Sequence, residues 1–261
     1  MPFGEWRIIL RQLPRTANFF AMELARRNAR LCPARRARTK KEELSMEFSS
    51  LVELFKARRS IRKWKSTPVP EQLLVQAIEA ATWSPNSGGK QPYHCYVITN
   101  PAKIAAIGQA VQEVTDYLAS LCTEDLDRQA VENWQKNSGF FVKAPALIAV
   151  SASIYESIAD KLQARNLDQP RVAEINRNRQ IAASRIQTVG AFVDHLLLAL
   201  HTLGLGAVWM AGPAQAKGAV EKIIGMGEKE DFVALVPVGY PDEQPAAPPR
   251  KPLHELVTFI R

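Results

Sequence analysis

"VGAFVDHLLLALHTLGLGAVWMAG", residues 189–212, carries the longest apolar run of the chain and then changes period. Its first sixteen residues are apolar almost all round at helical spacing, which predicts a helix through the middle of a core rather than over its surface. Asp194, His195 and His201 interrupt the run below the roughly 18 apolar residues of a membrane span. The following "GAVWMAG" reads as a buried strand, and "DFVALVPVGYP" as another, with the helical "AQAKGAVEKIIGM" between them.

Upstream, "SLVELFKARRS" reads as a short helix from Ser50, and "TPVPEQLLVQAIEAATW" as a second with Pro70 suited to its first turn. "HCYVITN" reads as a strand closed by Asn100 and Pro101. Helical periodicity runs over about 101–122, about 125–138 and about 171–203. "APALIAVSAS" has the continuous apolar character of a strand covered on both faces. Strands and helices mix without a strict β-α-β rhythm, so the expected class is α+β, a central sheet covered by helices.

The 261 residues are 46% hydrophobic, enough for a full-sized core. Cys32, Cys95 and Cys122 form no C-x-x-C pair and have no His at zinc spacing, so no metal site or disulfide framework is expected and a cytoplasmic setting fits. Of the +8 net charge, residues 1–45 carry eleven Lys/Arg against four Asp/Glu, and the remainder holds 23 against 22. The basicity therefore belongs to an N-terminal extension, with a second region expected over 46–261. The extension lacks the h-region of a secretory signal. It reads as a docking or loosely ordered arm, as sequence ahead of a start at Met46, as an amphipathic membrane-surface helix, or as a transit or nucleic-acid segment. With the body near neutral, nucleic acid is not an expected partner.

Several chemistries are missing. There is no G-x-S-x-G elbow, no H-E-x-x-H and no phosphate loop of the G-x-x-x-x-G-K-[ST] type. Gly204 and Gly206 follow a helix and precede a strand, the reverse of a dinucleotide fingerprint. His195 and His201, six apart on one helix, and His94 read as packing residues, and Asp194 as a buried carboxylate that must find a hydrogen-bond donor.

Four short segments remain. "KARRSIRKW" places Arg58, Arg59, Ser60 and Arg62 where a helix gives way to extended chain, as a solvated basic face or a phosphate grip. "TWSPNSGGKQPYH" (82–94) fixes an irregular path with Pro85, Gly88, Gly89 and Pro92 and offers the polar groups of Asn86, Ser87 and Gln91. "WMAGP" ends a strand in small residues, and "PPRKPLHEL" returns a charge at Arg250.

Taken in order, these segments resemble the FMN-dependent nitroreductase family from about residue 50 to the C-terminus, four-fifths of the chain. The resemblance implies a mostly antiparallel sheet around a long buried helix, in an intertwined homodimer with FMN at the subunit interface. Arg58, Arg59, Ser60 and Arg62 match the segment holding the FMN phosphate, with Arg62 able to reach the pyrimidine edge. Pro85, Asn86 and Ser87 match a loop against the ring, supplied by the partner chain, and Gln91 belongs to the following Gln-Pro pair. Ala211 and Gly212 match the stretch whose N–H faces flavin N5, and Arg250 a C-terminal phosphate contact. No side chain is expected to be catalytic, because the flavin carries the hydride chemistry. The implied reaction is ping-pong transfer of two electrons from NADH or NADPH to a small-molecule acceptor, a nitroaromatic, quinone or similar flat compound. Flavin reduction and reductive dehalogenation are alternatives on the same scaffold, and binding through the basic arm is a rival of another kind. Gly89 stands where members often have Asn, and Ala211 where some have Glu; both bear on the substrate side of the ring.

Overall fold

The computed structural model describes residues 40–261. The reading of the basic extension falls on residues outside this range, apart from the start of the first helix. Helix α1 runs Lys40–Ala57, ten residues earlier than the expected start at Ser50, and residues before Val52 fall in a separate unit from the compact body Val52–Arg261.

The body is built on strands β1 (Tyr93–Ile98), β2 (Ala146–Ser153), β3 (Gly206–Ala207) and β4 (Glu230–Gly239), in the order β1-β2-β4-β3 with every pairing antiparallel. The helices are α2 (Glu71–Ala81), α3 (Pro101–Ser120), α4 (Asp125–Ser138), α5 (Ile158–Ala164), α6 (Pro170–Ala182), α7 (Ser184–Thr202) and α8 (Lys217–Ile224). No helix among the described residues is long and apolar enough to cross a membrane.

The sheet is covered on both faces, which explains its apolar strands. Ala146, Ile148, Val150 and Ala152 of β2 pack with Leu74 and Ala77 of α2 and with Val189, Phe192 and Leu196 of α7. Leu147 and Ala149, facing the other way by the period-2 rule, join Ile104, Ile107 and Val111 of α3 and Val220 of α8. A bulge between Val150 and Ser151 gives β4 one extra residue opposite them. Beside β3, Gly239 ends β4 against Pro145 and Trp64; a Cβ there would lie 2.7 Å from Pro145 Cδ and 3.0 Å from Trp64 Cδ1. Neither ring can give way easily, so Gly239→Ala is expected to cost about 1–3 kcal/mol, read as a lower urea midpoint.

Three expectations are corrected. The helix expected over 171–203 is two helices, broken at Ala183 (φ 44°, ψ 51°). No Gly or Pro marks the break. Its cause is tertiary: Arg185, at the start of α7, donates to the carbonyls of Ser153 (2.8 Å) and Ala152 (2.8 Å) and pairs with Asp231 (2.6 Å), which draws that end of α7 onto the sheet. Asp194 is exposed rather than buried, because α7 buries the single stripe Val189, Phe192, Val193, Leu196, Leu197, Leu200 and Asp194 lies off it. The strand expected over 206–212 is regular only at Gly206–Ala207, with one further bridge at Met210–Leu235.

Candidate functional site

The chain leaves α1 at Ala57, where Arg58 N–H still reaches Leu54 O (3.1 Å), and then extends along the outer edge of β3. Ser60 bridges Ala207 in parallel, Ile61 N–H donates to Ala207 O (3.1 Å), and the Trp64 indole N–H donates to Gly206 O (2.8 Å). Ile61 and Trp64 are buried, so Arg62 and Lys63 between them face solvent. The Glu243 carboxylate accepts the backbone N–H groups of both. This edge is thus pinned through its backbone, leaving the side chains of Arg58, Ser60 and Arg62 available for a ligand.

Arg58 and Arg59 line a cavity of about 390 Å³ together with Ile61, His201, Gly206, Ala207 and Glu243. Arg59 is less available than Arg58. Its Nη1 donates to the carbonyls of Lys56 (2.6 Å) and Arg58 (2.7 Å), where it satisfies the end of α1. Burial, and then the nearby Arg58 and Arg59 guanidiniums, hold the His201 imidazole below its usual pKa. The sequence reading treated His201 as packing; its place beside two arginines was not legible from its position on the helix. His195 is a helix-packing residue, its Nδ1 3.1 Å from Ala191 O.

Further along the same strand edge, Met210 exchanges two 2.9 Å hydrogen bonds with Leu235, and the chain then turns out of the sheet. Ala211 and Gly212 are exposed there, beside the 41% exposed Trp209. Ala211 lies four positions beyond Ala207, which is opposite Ser60, at most about 13 Å along the strand. One edge therefore presents a cation and a hydroxyl at one end and a small exposed backbone at the other.

The loop 82–92 lies elsewhere, at the start of β1. Gly88 and Gly89 both adopt φ 63° and Gln91 φ 44°, which is why the stretch carries a glycine pair. Asn86 folds inward: its Oδ1 accepts Gln91 N–H (2.9 Å) and its Nδ2 donates to Ser84 O (3.3 Å). Gln91 Nε2 reaches Tyr93 OH (3.3 Å), and Tyr93 OH donates to Thr82 O (3.1 Å). Asn86 and Gln91 thus hold the loop's shape, while Pro85 and Ser87 are exposed. β1 and β3 are the opposite edges of the sheet, three strand spacings or roughly 14 Å apart. Arg250 is exposed on the extended segment after β4 and does not line the cavity beside Arg58. The structure therefore brings Arg58, Arg59, Ser60, Arg62, Ala211 and Gly212 to one edge and sets Pro85, Asn86, Ser87 and Gln91 at another.

Helices α5 and α6 stand next to that loop. A capping box opens α5, with Asp160 N–H donating to Ser157 Oγ (3.2 Å) and Ser157 N–H to Asp160 Oδ2 (2.8 Å). Arg179 Nε donates to Asp160 Oδ1 (3.1 Å) and ties α6 to α5. The Ser157 hydroxyl, then its backbone N–H, then Arg179 lower the Asp160 pKa from 3.8 to about 2. A depressed acid contributes stability above its unfolded pKa and loses it as pH falls through the folded one, so the α5–α6 tie is expected to weaken between about pH 4 and pH 2. Titration of the Asp160 carboxyl by NMR checks this; a midpoint at the ordinary value would remove the tie.

The described residues contain no cluster of His, Cys, Asp and Glu suited to a metal ion. Cys95 and Cys122 are unpaired, and burial pushes the Cys95 thiol up to about 12, which leaves it no nucleophilic role.

The family model for nitroreductases matches residues 55–240. Among curated relatives, an NADH dehydrogenase of Thermus thermophilus is 29% identical over 77% of this chain and 92% of its own. An iodotyrosine deiodinase of Hydra vulgaris is 27% identical over 86% of this chain and 78% of its own. The solved BluB-like flavoprotein from Clostridium difficile 630 shares the fold with a TM-score of 0.72, at 23% identity over 81% of this chain and 99% of that one. With more than two-thirds of its length matched from the end of α1 through β4, the chain belongs to the nitroreductase family.

Proposed function

We propose that this protein is a homodimeric enzyme that passes two electrons by a ping-pong mechanism from NADH or NADPH, through FMN, to a nitroaromatic, quinone or similar flat acceptor. Family membership makes it an FMN-dependent oxidoreductase drawing on a nicotinamide donor. Bound FMN supplies the hydride acceptance and donation, so the chain need only hold it, orient it and shield it.

The donor set fits the group. Arg58 and Ser60 offer a guanidinium and a hydroxyl to a phosphate. Arg62, exposed one residue past the buried Ile61, is assigned to the polar edge of the ring, and the small, exposed Ala211–Gly212 turn to the side on which a flat partner stacks. The observation that carries the reading is the pinning of Arg58–Arg62 alongside β3, which leaves the side chains we assign to the phosphate and to the ring on one edge.

The other half of the site supports the homodimer. Pro85 and Ser87 sit at the opposite sheet edge, so one chain does not close both sides of a single ring. A second copy supplies the missing loop. Arg250 and the exposed Leu253, Leu256, Phe259 and Ile260, which no described residue covers, then have a surface to pack on. The unpaired Cys95 and Cys122 fit a reducing, cytoplasmic setting.

The resemblance to iodotyrosine deiodinases supports reductive dehalogenation as a second reading with the same cofactor. The test of the shared core is an absorption spectrum of the purified protein, followed by heat release of its flavin. About one FMN per chain supports the assignment; a colourless protein that does not take up FMN overturns it. Turnover of nitroaromatic, quinone and halophenol acceptors then separates the reactions.

A further inference from the structure

A second cavity, of about 550 Å³, lies between the Ser87–Lys90 turn and the junction of α6 with α7. That volume is ordinary for a small-molecule site. Its walls mix polar groups with Ala183 and Ile186, and Tyr155 contributes the aromatic ring. Asn176, Arg179 and Gln180 recur at helical spacing, so one face of α6 looks into it.

The charges in this cavity are not equivalent. Arg179 is engaged by Asp160 and Ser157, and Arg185 by Asp231 and two backbone carbonyls. Lys90 instead lies over the face of Tyr155, with Nζ 4.5 Å from the ring centroid. A cation held by a ring's quadrupole alone is readily drawn away by a carboxylate. Two of the cavity's three cations are thus neutralised by carboxylates, Arg179 by Asp160 in its wall and Arg185 by Asp231 outside it, and the third, Lys90, has a ring as its described partner. The amides of Asn176 and Gln180 are of the kind that complete the coordination of an anion's remaining oxygens.

We propose that this cavity is the acceptor subsite and that it selects planar aromatic acceptors bearing a carboxylate, with the ring against Tyr155 and the acid on Lys90. The inference rests on the FMN reading, because Ser87, which lines the cavity, belongs to the loop assigned to the face of the flavin. It adds a substrate class to that reading, and it assigns specificity to Lys90 and Tyr155, side chains that the cofactor site does not use.

The test is calorimetric titration of the full-length protein, as purified, with benzoate and with benzamide, which differ in charge and scarcely in shape. Flavin content is read from the absorbance of the same samples. Benzoate is expected to bind at least tenfold more tightly than benzamide, and Lys90→Met to bring the two together. Tyr155→Leu is expected to weaken both. Equal affinities in the wild-type chain, binding of neither ligand, or a Lys90→Met variant that keeps its preference for benzoate overturns the proposal. A flavin-loaded protein without the preference removes the subsite and leaves the cofactor reading. A protein that shows the preference but does not take up FMN leaves the subsite and removes the cofactor reading.

Discussion

Replacing Arg58 and Ser60 together by Ala is expected to weaken FMN binding roughly 100- to 20,000-fold. Each substitution removes a hydrogen bond to a charged phosphate, worth about 1.5–3 kcal/mol, and each 1.4 kcal/mol is tenfold in affinity. Both side chains are half-buried at an edge whose bonds to Ala207, from Ile61 N–H, and to Gly206, from the Trp64 indole, do not depend on them, so the substitutions remove ligand contacts and spare the fold. Quenching of flavin fluorescence on titration with apoprotein gives the affinity, and an unchanged thermal midpoint of the apoprotein confirms that folding is intact. A double variant that holds FMN as tightly as the wild type rejects the phosphate assignment. Arg59→Ala serves as an internal comparison: its guanidinium is engaged by the carbonyls of Lys56 and Arg58, and its loss is expected to cost less than tenfold.

The second large effect is on stability. Phe192 is fully buried on the stripe of α7 that meets β2 and α2, and its ring stacks on Tyr93 with centroids 4.2 Å apart. Phe192→Ala removes the largest side chain of that interface and leaves a cavity, for an expected loss of about 3–5 kcal/mol. For a body of this size that corresponds to roughly 6–20 °C in thermal midpoint. The damage does not stay in the core. Tyr93 stacks on Phe192 and donates to Thr82 O, so it also fixes the entrance of the 82–92 loop. Hydrogen exchange is therefore expected to rise in that loop as well as in α7. A variant that loses less than about 1 kcal/mol, or that loosens α7 alone, contradicts this coupling.

The parts of the fold that were legible in the sequence are those in which one residue's environment follows from its neighbours. β2 announced burial on both faces because every residue from Ala146 to Ala152 is small or apolar, and α2 carried its stripe at Leu74, Ala77 and Ala81. The break at Ala183 was hidden because it is imposed by Arg185 reaching residues 32 and 33 positions away, with no local breaker to mark it. α5 was missed although Ser157 and Asp160 spell a capping box, since seven residues are too few to show a period. Asp194 was misplaced for the opposite reason: the composition of α7 suggested burial all round, and only the packed structure shows which stripe meets the sheet.

Much of the candidate site was legible for a different reason. Prolines and glycines constrain the backbone strongly enough to mark where it departs from regular structure, and Gly88 and Gly89 do adopt positive φ. What those segments did not reveal was the direction of each side chain. Arg59, Asn86 and Gln91 turn back on their own backbone, whereas Lys90, which drew no attention as an isolated lysine, projects over Tyr155.

Both ends of the α5–α6 excursion are fastened to the sheet. Ile154 N–H donates to Lys229 O (2.8 Å) as the chain leaves β2, and Arg185 bonds to Ser153 O as it returns in α7. The thirty residues between these anchors form a closed detour with adjacent feet, and the entropy of closing such a detour changes only slowly with its length. The detour can therefore be shortened or extended with little consequence for the layers beneath it. The sheet and α7 thus form a chassis, and a change in the length of this module is expected to reshape the cavity beside Lys90 and Tyr155 while the pinned stretch Arg58–Arg62 stays in place.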